Sequence, residues 1–197
     1  MNLADRVALI RPGVERSGAD RPGGTWADLG AGSGAFTQAL ASLVGPDAVI
    51  YALDRDERAL RSLETAFRAL EHAADGRAPR IICVQADFTR AEALRDADLP
   101  PLDGVLLANS LHFQADACET LSRAASHLKP GGVLLVVEYE VNRANPWVPH
   151  PLPWSGFART ADCAGLVEPR LLGSRPSAYH GSMYAAACRK PVSGHEA

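Results

Sequence analysis

The sequence predicts a three-layer α/β/α fold with a doubly wound, mostly parallel sheet of seven strands and an antiparallel last strand. Three observations support this prediction. Short apolar runs alternate with helical patterns along the chain. The runs are apolar nearly throughout, which is typical of parallel strands covered by helices on both faces. The last two runs are joined by too few residues for a helical crossover, so they are expected to form a hairpin.

The length of 197 residues suits a single domain. We divide it into a short N-terminal helix and loop, a core, and a tail, at residues 1–23, 24–190 and 191–197. Residues 2–11 carry an amphipathic pattern that Asn2 can cap. Pro12 is expected to end this helix, because proline cannot donate a backbone hydrogen bond. A loop is therefore expected over residues 12–24.

The strands are expected where apolar residues run together between turn signals. In chain order they are TWADLG (25–30), AVIYALD (48–54), RIICVQAD (80–87), DGVLLANS (103–110), VLLVVEYE (133–140), PRLLGS (169–174) and SMYAAACR (182–189). The first five are each followed by a helical pattern, as β-α units require. The sixth and seventh have no helix between them.

Capping residues and apolar faces mark the helices between these strands. Asp56 is expected to cap the helix after the second strand. Thr89 and Glu92 have the spacing of a capping box at the start of the next helix. KPGG (129–132) is expected to be a turn before the fifth strand. The remaining helices are recognised by the faces Phe36, Leu40, Leu43 and Val44, then Leu121, Ala125 and Leu128, and by a short run from about Ser155 to Ala164.

Composition and charge exclude several classes of partner. The formal net charge is −3, and the arginines are spread along the chain. A nucleic-acid partner is not expected, because it would favour a basic surface. No apolar run approaches the roughly 20 residues that span a bilayer, and the N-terminus does not resemble a signal peptide. We therefore expect a cytoplasmic protein that binds neither nucleic acid nor membrane.

The four cysteines, Cys83, Cys118, Cys163 and Cys188, are far apart and form no CxxC pair. Neither a zinc site nor a redox motif is indicated, and no pair of histidines has a metal-binding spacing. No metal is expected. Cys83 and Cys188 lie within apolar runs, where a buried free thiol is expected. An even count leaves disulfides open, although a chain of this size does not need them to fold.

The stretch WADLGAGSGAFT (26–37) joins the first strand to the first helix and carries three glycines at alternate positions. Glycines in such a turn let the backbone approach a ligand closely. Gly30, Gly32 and Ala35 also satisfy the G-x-G-x-x-A spacing of dinucleotide-binding folds. The glycine spacing alone therefore allows several nucleotide cofactors, including NAD.

Acidic residues at the ends of the first three strands narrow this choice. Asp54 can accept both hydroxyls of a ribose. Asp87 can accept from the exocyclic amine of adenine, and Phe88 offers an apolar surface for the ring. Asp28 would repel a pyrophosphate, by about 1 kcal/mol at about 4 Å in water, but would attract a cation. Together they favour an adenosine cofactor that carries positive charge.

These motifs together resemble those of the class I S-adenosylmethionine-dependent methyltransferases. The first three motifs of that family are similar to ADLGAGSGAFT, ALDRDERAL and QADF. The fourth-strand motif, and the turn with the fifth strand, are similar to LDGVLLANSLHF and LKPGGVLLVVEYE. The resemblance covers roughly residues 24–190 and includes the terminal antiparallel strand. It implies a methyl transfer from S-adenosylmethionine.

The resemblance also implies roles for matching positions. The implied cofactor-binding residues are Asp28, Gly30, Ala31, Gly32, Gly34, Asp54, Arg55, Asp87, Phe88 and Asn109. Asp28 would lie near the amino group of the cofactor, and the amides after Ser33 suit its carboxylate. Asp54 would hold the ribose, while Asp87 and Phe88 would hold adenine. Asn109, at the end of the fourth strand, would lie beside the cofactor and face the acceptor.

The acceptor site is expected beside the fourth and fifth strands. His112 is the candidate general base. The walls of this site are expected to include Phe113, Tyr139 and Trp147, with Tyr179 and His180 near its mouth. The insertions that choose the substrate in this family are short here, which favours a small-molecule acceptor. Two alternatives stay open: an NAD(P)-dependent oxidoreductase, and a non-catalytic module that binds S-adenosylmethionine.

Overall fold

The computed structural model describes residues 1–15, 23–73, 77–177 and 181–192. Its strands are β1 (Thr25–Leu29), β2 (Val49–Asp54), β3 (Arg80–Gln85), β4 (Leu102–Ala108), β5 (Leu128–Tyr139), β6 (Val167–Pro176) and β7 (Ser182–Arg189). Its helices are α1 (Leu3–Glu15), α2 (Ala35–Val44), α3 (Glu57–Ala73), α4 (Ala91–Asp96), α5 (Ala117–Ser126) and α6 (Trp154–Cys163), with a 3₁₀ turn at Leu111–Phe113.

The seven strands form one sheet in the order β3-β2-β1-β4-β5-β7-β6. Strands β1 to β5 are parallel, and β7 is antiparallel to both of its neighbours, β5 and β6. The predicted mostly parallel sheet with an antiparallel last strand is confirmed. The strand order reverses between β1 and β4, and ligands of doubly wound sheets bind at the carboxyl edge near such a reversal.

Helices cover both faces of the sheet. One face packs against α1, α2 and α3, and the other against α4, α5 and α6. Successive residues of β1 point to opposite faces, as a strand requires: Trp26 packs with α1 and α2, whereas Ala27 and Leu29 pack with the other layer. Both faces being buried explains why the strands are apolar nearly throughout.

The first helix is longer than predicted. Asn2 caps it, since its Oδ1 accepts from the amide of Asp5 at 2.9 Å, but Pro12 lies inside the helix. The last turn persists because Gly13 and Val14 are buried against the sheet. A side chain on Gly13 would overlap Leu135, so the close contact depends on glycine. Packing thus outweighs the backbone bond that proline removes.

Two local predictions after β3 and α5 are wrong. The Thr89 hydroxyl donates to Asp87 Oδ1 at 2.6 Å, so it does not form the predicted capping box. Helix α4 begins instead after Arg90, without a side-chain cap. Leu128, which was expected on α5, is the first residue of β5. The KPGG segment lies within β5 but forms a bulge there, because the pairing with β4 passes from Leu128 directly to Val133. The amide of Leu102 donates to the His127 carbonyl at 2.9 Å, and the pairing of β5 with β4 begins at Leu128, before the KPGG segment.

A disulfide between Cys118 and Cys163 joins α5 to α6. The other two cysteines are free: Cys188 is buried, as expected, while Cys83 is half-buried. No helix in the described parts of the chain is long and apolar enough to cross a membrane.

Candidate active site

The glycine-rich loop after β1 has a left-handed backbone at three positions, with φ of 85° at Gly30, 55° at Gly32 and 88° at Gly34. A Cβ on Gly30 would lie 2.6 Å from the Cβ of Ser110, and one on Gly34 would lie 2.7 Å from the Cγ of Leu63. A Cβ on Gly32 would meet no atom within 4 Å. Packing therefore requires the outer two glycines, whereas the space beside the middle one is open to a ligand.

Hydrogen bonds hold this loop on the end of β2. The amides of Gly30 and Ala31 both donate to the carbonyl of Leu53 at 2.9 Å. The amide of Gly32 donates to Asp54 Oδ2 at 2.7 Å. Because Asp54 is the last residue of β2, its carboxylate fixes the height of the loop above the sheet edge.

Asp28 is a buried carboxyl group with one unsatisfied oxygen. Its side chain is 1% exposed. Oδ2 accepts from the Thr37 hydroxyl at 2.7 Å, and Oδ1 has no hydrogen-bond partner among the described residues. Burial raises the pKa of Asp28 to about 7, the Thr37 hydrogen bond opposes this rise, and the negative charge of Asp54 adds to it. A cation at Oδ1 would favour the ionised form.

Two cavities open at the carboxyl edge of the sheet on either side of the glycine loop. Cavity A has a volume of about 280 Å³ and is lined by Met1, Arg6, Asp28, Gly30, Ala31, Gly32, Ser33, Ala35, Phe36, Ala108, Asn109, Tyr139, Ser177 and Met183. Cavity B has a volume of about 570 Å³ and is lined by Gly30, Gly32, Asp54, Arg55, Asp56, Ala59, Ala86, Asp87, Phe88, Thr89, Asn109, Ser110, Phe113 and Gln114. They share Gly30, Gly32 and Asn109, so one elongated ligand can occupy both.

The acids and the ring predicted for the adenosine half meet in cavity B. Asp54 Oδ1 accepts from the amide of Asp56 at 2.9 Å, and Asp87 Oδ1 accepts from the amide of Thr89 at 3.1 Å. Phe88 is 8% exposed and forms part of the wall. Arg55 also lines this cavity. The structure therefore brings together all the residues predicted at the ends of β2 and β3.

Asn109 stands at the junction of the two cavities, directly after β4. Its φ of 55° is in the left-handed region, which asparagine tolerates better than most residues. Its amide donates to the carbonyl of Val137 at 2.8 Å. Its side-chain Oδ1 is buried and has no hydrogen-bond partner within the described parts of the chain.

His112 forms a buried pair with Glu138. The two side chains are 3% and 1% exposed, and His112 Nδ1 lies 2.6 Å from Glu138 Oε2. The second oxygen, Oε1, accepts from the amides of Leu111 and His112 at 2.9 and 3.2 Å. His112 lines neither cavity. Its ring packs instead beside Phe113 and Tyr139, with ring centroids 4.2 and 5.7 Å away.

The three residues predicted for the acceptor site lie in different places. Tyr139 lines cavity A, and Phe113 lines cavity B while being 57% exposed. Trp147 is 79% exposed and lines neither cavity. The predicted mouth residues Tyr179 and His180 lie outside the described residues.

Sequence reasoning missed the contribution of α1 to the site. Arg6 lines cavity A, and its guanidinium carbon lies 5.9 Å from the centre of the Phe36 ring. Met183 of β7 lies on the same wall. The amphipathic pattern of α1 indicates a buried face, but it does not say which end of the sheet the helix reaches. That placement follows from packing of α1 against α2, β5, β6 and β7.

Comparison with known proteins agrees with this architecture. The profile of a family described as "Methyltransferase domain" matches residues 20–162, well over half of the chain. The chain belongs to the methyltransferase-domain family. Its seven-stranded sheet has the form predicted for the class I S-adenosylmethionine-dependent methyltransferases, so that prediction is confirmed. The oxidoreductase alternative is set aside.

Solved structures share the fold of this methyltransferase. An arsenic(III) S-adenosylmethionine methyltransferase from Chlamydomonas reinhardtii is 22% identical, with a TM-score of 0.69 over 98% of this chain and 74% of that chain. A methyltransferase from Aquifex aeolicus is 16% identical, with a TM-score of 0.66 over 94% of this chain and 92% of that one. Human N-acetylserotonin methyltransferase is 20% identical, with a TM-score of 0.62 over 97% and 57%. Such identities show the fold.

A curated relative matches only part of the methyltransferase. Ribosomal RNA small subunit methyltransferase H from Acidobacterium capsulatum is 34% identical over 96 residues, which are 47% of this chain. The chain spans about a third of the length of that protein, since the match covers 32% of it. The likeness therefore does not assign an acceptor.

Proposed function

We propose that the methyltransferase holds S-adenosylmethionine across cavities A and B and transfers its methyl group to a small molecule in cavity A. The observation that carries this proposal is the buried, unpartnered Oδ1 of Asp28 beside the open space at Gly32. A buried acceptor without a partner costs about 1–3 kcal/mol. An ammonium group bound there would satisfy it and stabilise the charged carboxylate.

The charges of cavity A suit an amino-acid zwitterion. Among its described lining residues, Asp28 and Arg6 are those with charged side chains. We assign the ammonium to Asp28. The carboxylate would face Arg6 and the first amides of α2 after Ser33, where the helix dipole favours negative charge. A pyrophosphate would place negative charge beside Asp28 instead.

Cavity B suits the adenosine half. Each oxygen of Asp54 accepts one backbone amide, from Gly32 and from Asp56. A carboxylate oxygen can accept two hydrogen bonds, so both retain capacity for the ribose hydroxyls. The bonds from Thr89 go to one oxygen of Asp87, which leaves the other for the adenine amine, with Phe88 against the ring.

When bound, S-adenosylmethionine supplies an electrophilic methyl group on a cationic sulfur that leaves without a proton. The residues of this chain therefore act chiefly by holding the acceptor in line with that methyl group. Such positioning is worth up to roughly 7–11 kcal/mol in model systems. Phe36, Tyr139 and Met183 give cavity A an apolar wall against which an acceptor can pack.

A base role for His112 stays a prediction. The ring lies outside both cavities. Glu138 contacts the ring through Oε2 and accepts the backbone amide of Leu111, in the turn that follows β4, through Oε1. This geometry supports a positioning role, in which the pair holds Asn109 and Phe113 in place. Replacing His112 by Asn separates the base role from the positioning role. If His112 is the base, the variant loses the acidic limb of the pH profile of kcat. If His112 only positions the turn, kcat falls at every pH and the shape of the profile does not change.

A small acceptor is favoured over RNA by size and charge. Cavity A must hold the amino-acid part of the donor as well as the acceptor, and its volume is about 280 Å³. The net charge of −3 gives no electrostatic attraction to a phosphate backbone. The rival proposal rests on the partial match to a ribosomal RNA methyltransferase.

Methyl-labelled S-adenosylmethionine tests the proposal. The protein is incubated with a cell extract that has been divided into small molecules and RNA. Label is expected in the small-molecule fraction, and Asp54→Ala is expected to abolish it because the ribose loses its acceptor. Asp47→Ala, at an exposed acid before β2, is the matched control and should leave labelling unchanged. Labelling of RNA alone would contradict the small-acceptor proposal.

A further inference from the structure

Asn109 combines a left-handed backbone with a buried side-chain oxygen that has no hydrogen-bond partner among the described residues. Its backbone is left-handed, with φ of 55°, and its backbone N–H donates to the carbonyl of Val137 in β5 at 2.8 Å. The neighbouring side chain is satisfied, because Ser110 Oγ donates to the Leu29 carbonyl at 2.8 Å. Backbone strain of this kind persists where surrounding contacts enforce it, and it is concentrated at functional sites.

The unsatisfied atom of Asn109 is a neutral hydrogen-bond acceptor. Of the described side chains that have a buried polar atom without a partner, two line cavity A: Asp28 and Asn109. The proposed function uses Asp28 for a cation. The amide oxygen of Asn109 instead suits an uncharged N–H or O–H donor, since it carries no full charge to compensate the desolvation of an ion.

We propose that Asn109 Oδ1 accepts a hydrogen bond from the methyl acceptor and thereby selects acceptors whose attacking atom is a hydroxyl oxygen or an amine nitrogen. This inference rests on the proposed function and names its substrate class. A thiolate or a carboxylate has no hydrogen to donate, and its charge would be repelled by the amide oxygen. Because the hydrogen of the attacking atom points to Asn109, the lone pair of that atom is free to face the methyl group of S-adenosylmethionine.

The chemistry balances without a further reactant. The lone pair of the acceptor oxygen or nitrogen forms the new bond to the methyl carbon. The pair of the breaking carbon–sulfur bond stays on sulfur, which becomes a neutral thioether. The acceptor then loses its proton to water. Asn109 remains unchanged, because it accepts a hydrogen bond and not the proton itself.

Binding to the protein loaded with S-adenosylhomocysteine tests this proposal without turnover. The probes are phenol, aniline, thiophenol and toluene, which share one ring and differ in the group that would meet Asn109. Calorimetry is expected to give affinities for phenol and aniline about tenfold higher than for toluene and thiophenol, the value of one buried hydrogen bond.

Two variants isolate the amide oxygen. Asn109→Gly removes the acceptor but keeps the left-handed backbone, and it is expected to abolish the preference for phenol and aniline. Asn109→Asp also tolerates this backbone and keeps an acceptor oxygen, so it is the matched control and should retain the preference. The S-adenosylhomocysteine affinity of both variants is measured in the same titrations, because Asn109 also lines the two cavities proposed for the cofactor.

Several results would overturn the inference. They are equal affinity for all four probes, binding of none of them, or a preference that survives in Asn109→Gly. A tenfold loss of S-adenosylhomocysteine affinity in Asn109→Gly would assign the amide oxygen to the cofactor and also overturn it. Failure of the unaltered protein to bind S-adenosylhomocysteine would overturn the proposed function itself, together with this inference.

Discussion

Asp28 is a carboxyl group that the fold buries without satisfying both of its oxygens. Burial raises its pKa to about 7 from an ordinary value of 3.8. The folded protein therefore holds this proton more tightly than the unfolded chain. The stabilising contribution of Asp28 is complete below about pH 4 and is lost as the pH rises to about 7, so above that range the ionised group destabilises the protein in the absence of a cation.

Asp28→Asn is expected to separate stability from binding. Without ligand at about pH 8, the variant should be more stable than the unaltered protein, and its stability should depend less on pH between about 4 and 7. Its affinity for S-adenosylhomocysteine should fall about 10- to 100-fold, the value of a hydrogen bond to a charged group. Denaturant titrations measure the stability of the variant, and calorimetry measures its affinity for S-adenosylhomocysteine.

Thr37→Val is a second variant that tests the protonation of Asp28. It keeps the carboxyl group but removes the hydrogen bond that lowers its pKa. The pH at which S-adenosylhomocysteine binding becomes strong should therefore shift upward. An Asp28→Asn variant that is no more stable at about pH 8 and binds with full affinity would contradict the role assigned to this residue.

Gly32 and Gly34 make a second test at single residues. Gly32→Ala meets no atom in the free protein, so its stability should fall by only the backbone cost of about 1–2 kcal/mol. The new methyl group enters the space proposed for the cofactor, and the affinity for S-adenosylhomocysteine should fall by about tenfold or more. Gly34→Ala collides with Leu63 and should lose about 2–4 kcal/mol of stability.

Chemical denaturation measures the loss of stability in each glycine variant, and calorimetry measures its loss of affinity for S-adenosylhomocysteine. Equal losses of stability in the two variants, together with equal affinities for S-adenosylhomocysteine, would contradict an open cofactor space beside Gly32.

At the scale of elements, the disulfide between α5 and α6 is the clearest feature to test. Cys118 is half-buried and Cys163 is exposed, so a reductant can reach the bond. Breaking it releases a loop with a sequence separation of 45 residues, which should lower the free energy of unfolding by about 2–4 kcal/mol. The glycine-rich loop follows β1 and Asp54 ends β2, both away from α5 and α6, so the affinity for S-adenosylhomocysteine should not change.

Urea titrations with and without dithiothreitol measure this effect. A double variant with serine at both positions is the matched control, because it should have the lower stability and no response to the reductant. Equal stability of the oxidised and reduced protein would contradict a stabilising role for the disulfide.

Apolar runs and helix-capping residues made most helices and strands predictable from the sequence, because both are local patterns. The apolar runs located all seven strands of the sheet, and Asp56 caps α3 as expected, with its Oδ1 accepting from the backbone amide of Arg58 at 2.8 Å. The errors lie where tertiary contacts override a local rule. Pro12 stays helical because Gly13 packs on β5, and Thr89 bonds to Asp87 instead of capping α4.

The site was predictable in its cofactor half and less so in its acceptor half. Glycines and acids at strand ends are visible in the sequence, and they meet around cavities A and B. The places of Arg6 and Met183 depend on how distant elements pack, and no local pattern specifies that. The burial of His112 against Glu138 was also hidden, since the two lie 26 residues apart.

At the scale of the whole molecule, the sheet order places the two cavities at one edge. Strand order reverses between β1 and β4, and the residues that line both cavities follow these two strands. An elongated ligand with a cationic amino-acid end and an adenosine end fits this layout.

Titration calorimetry of the unaltered protein at about pH 8, where Asp28 is ionised, shows which cofactor the two cavities bind. S-adenosylhomocysteine and NAD are added in separate experiments. S-adenosylhomocysteine is expected to bind at one site per chain, and NAD is expected to produce no binding heat because its pyrophosphate would lie beside Asp28. Binding of NAD with no response to S-adenosylhomocysteine would contradict the assignment of this site to S-adenosylmethionine.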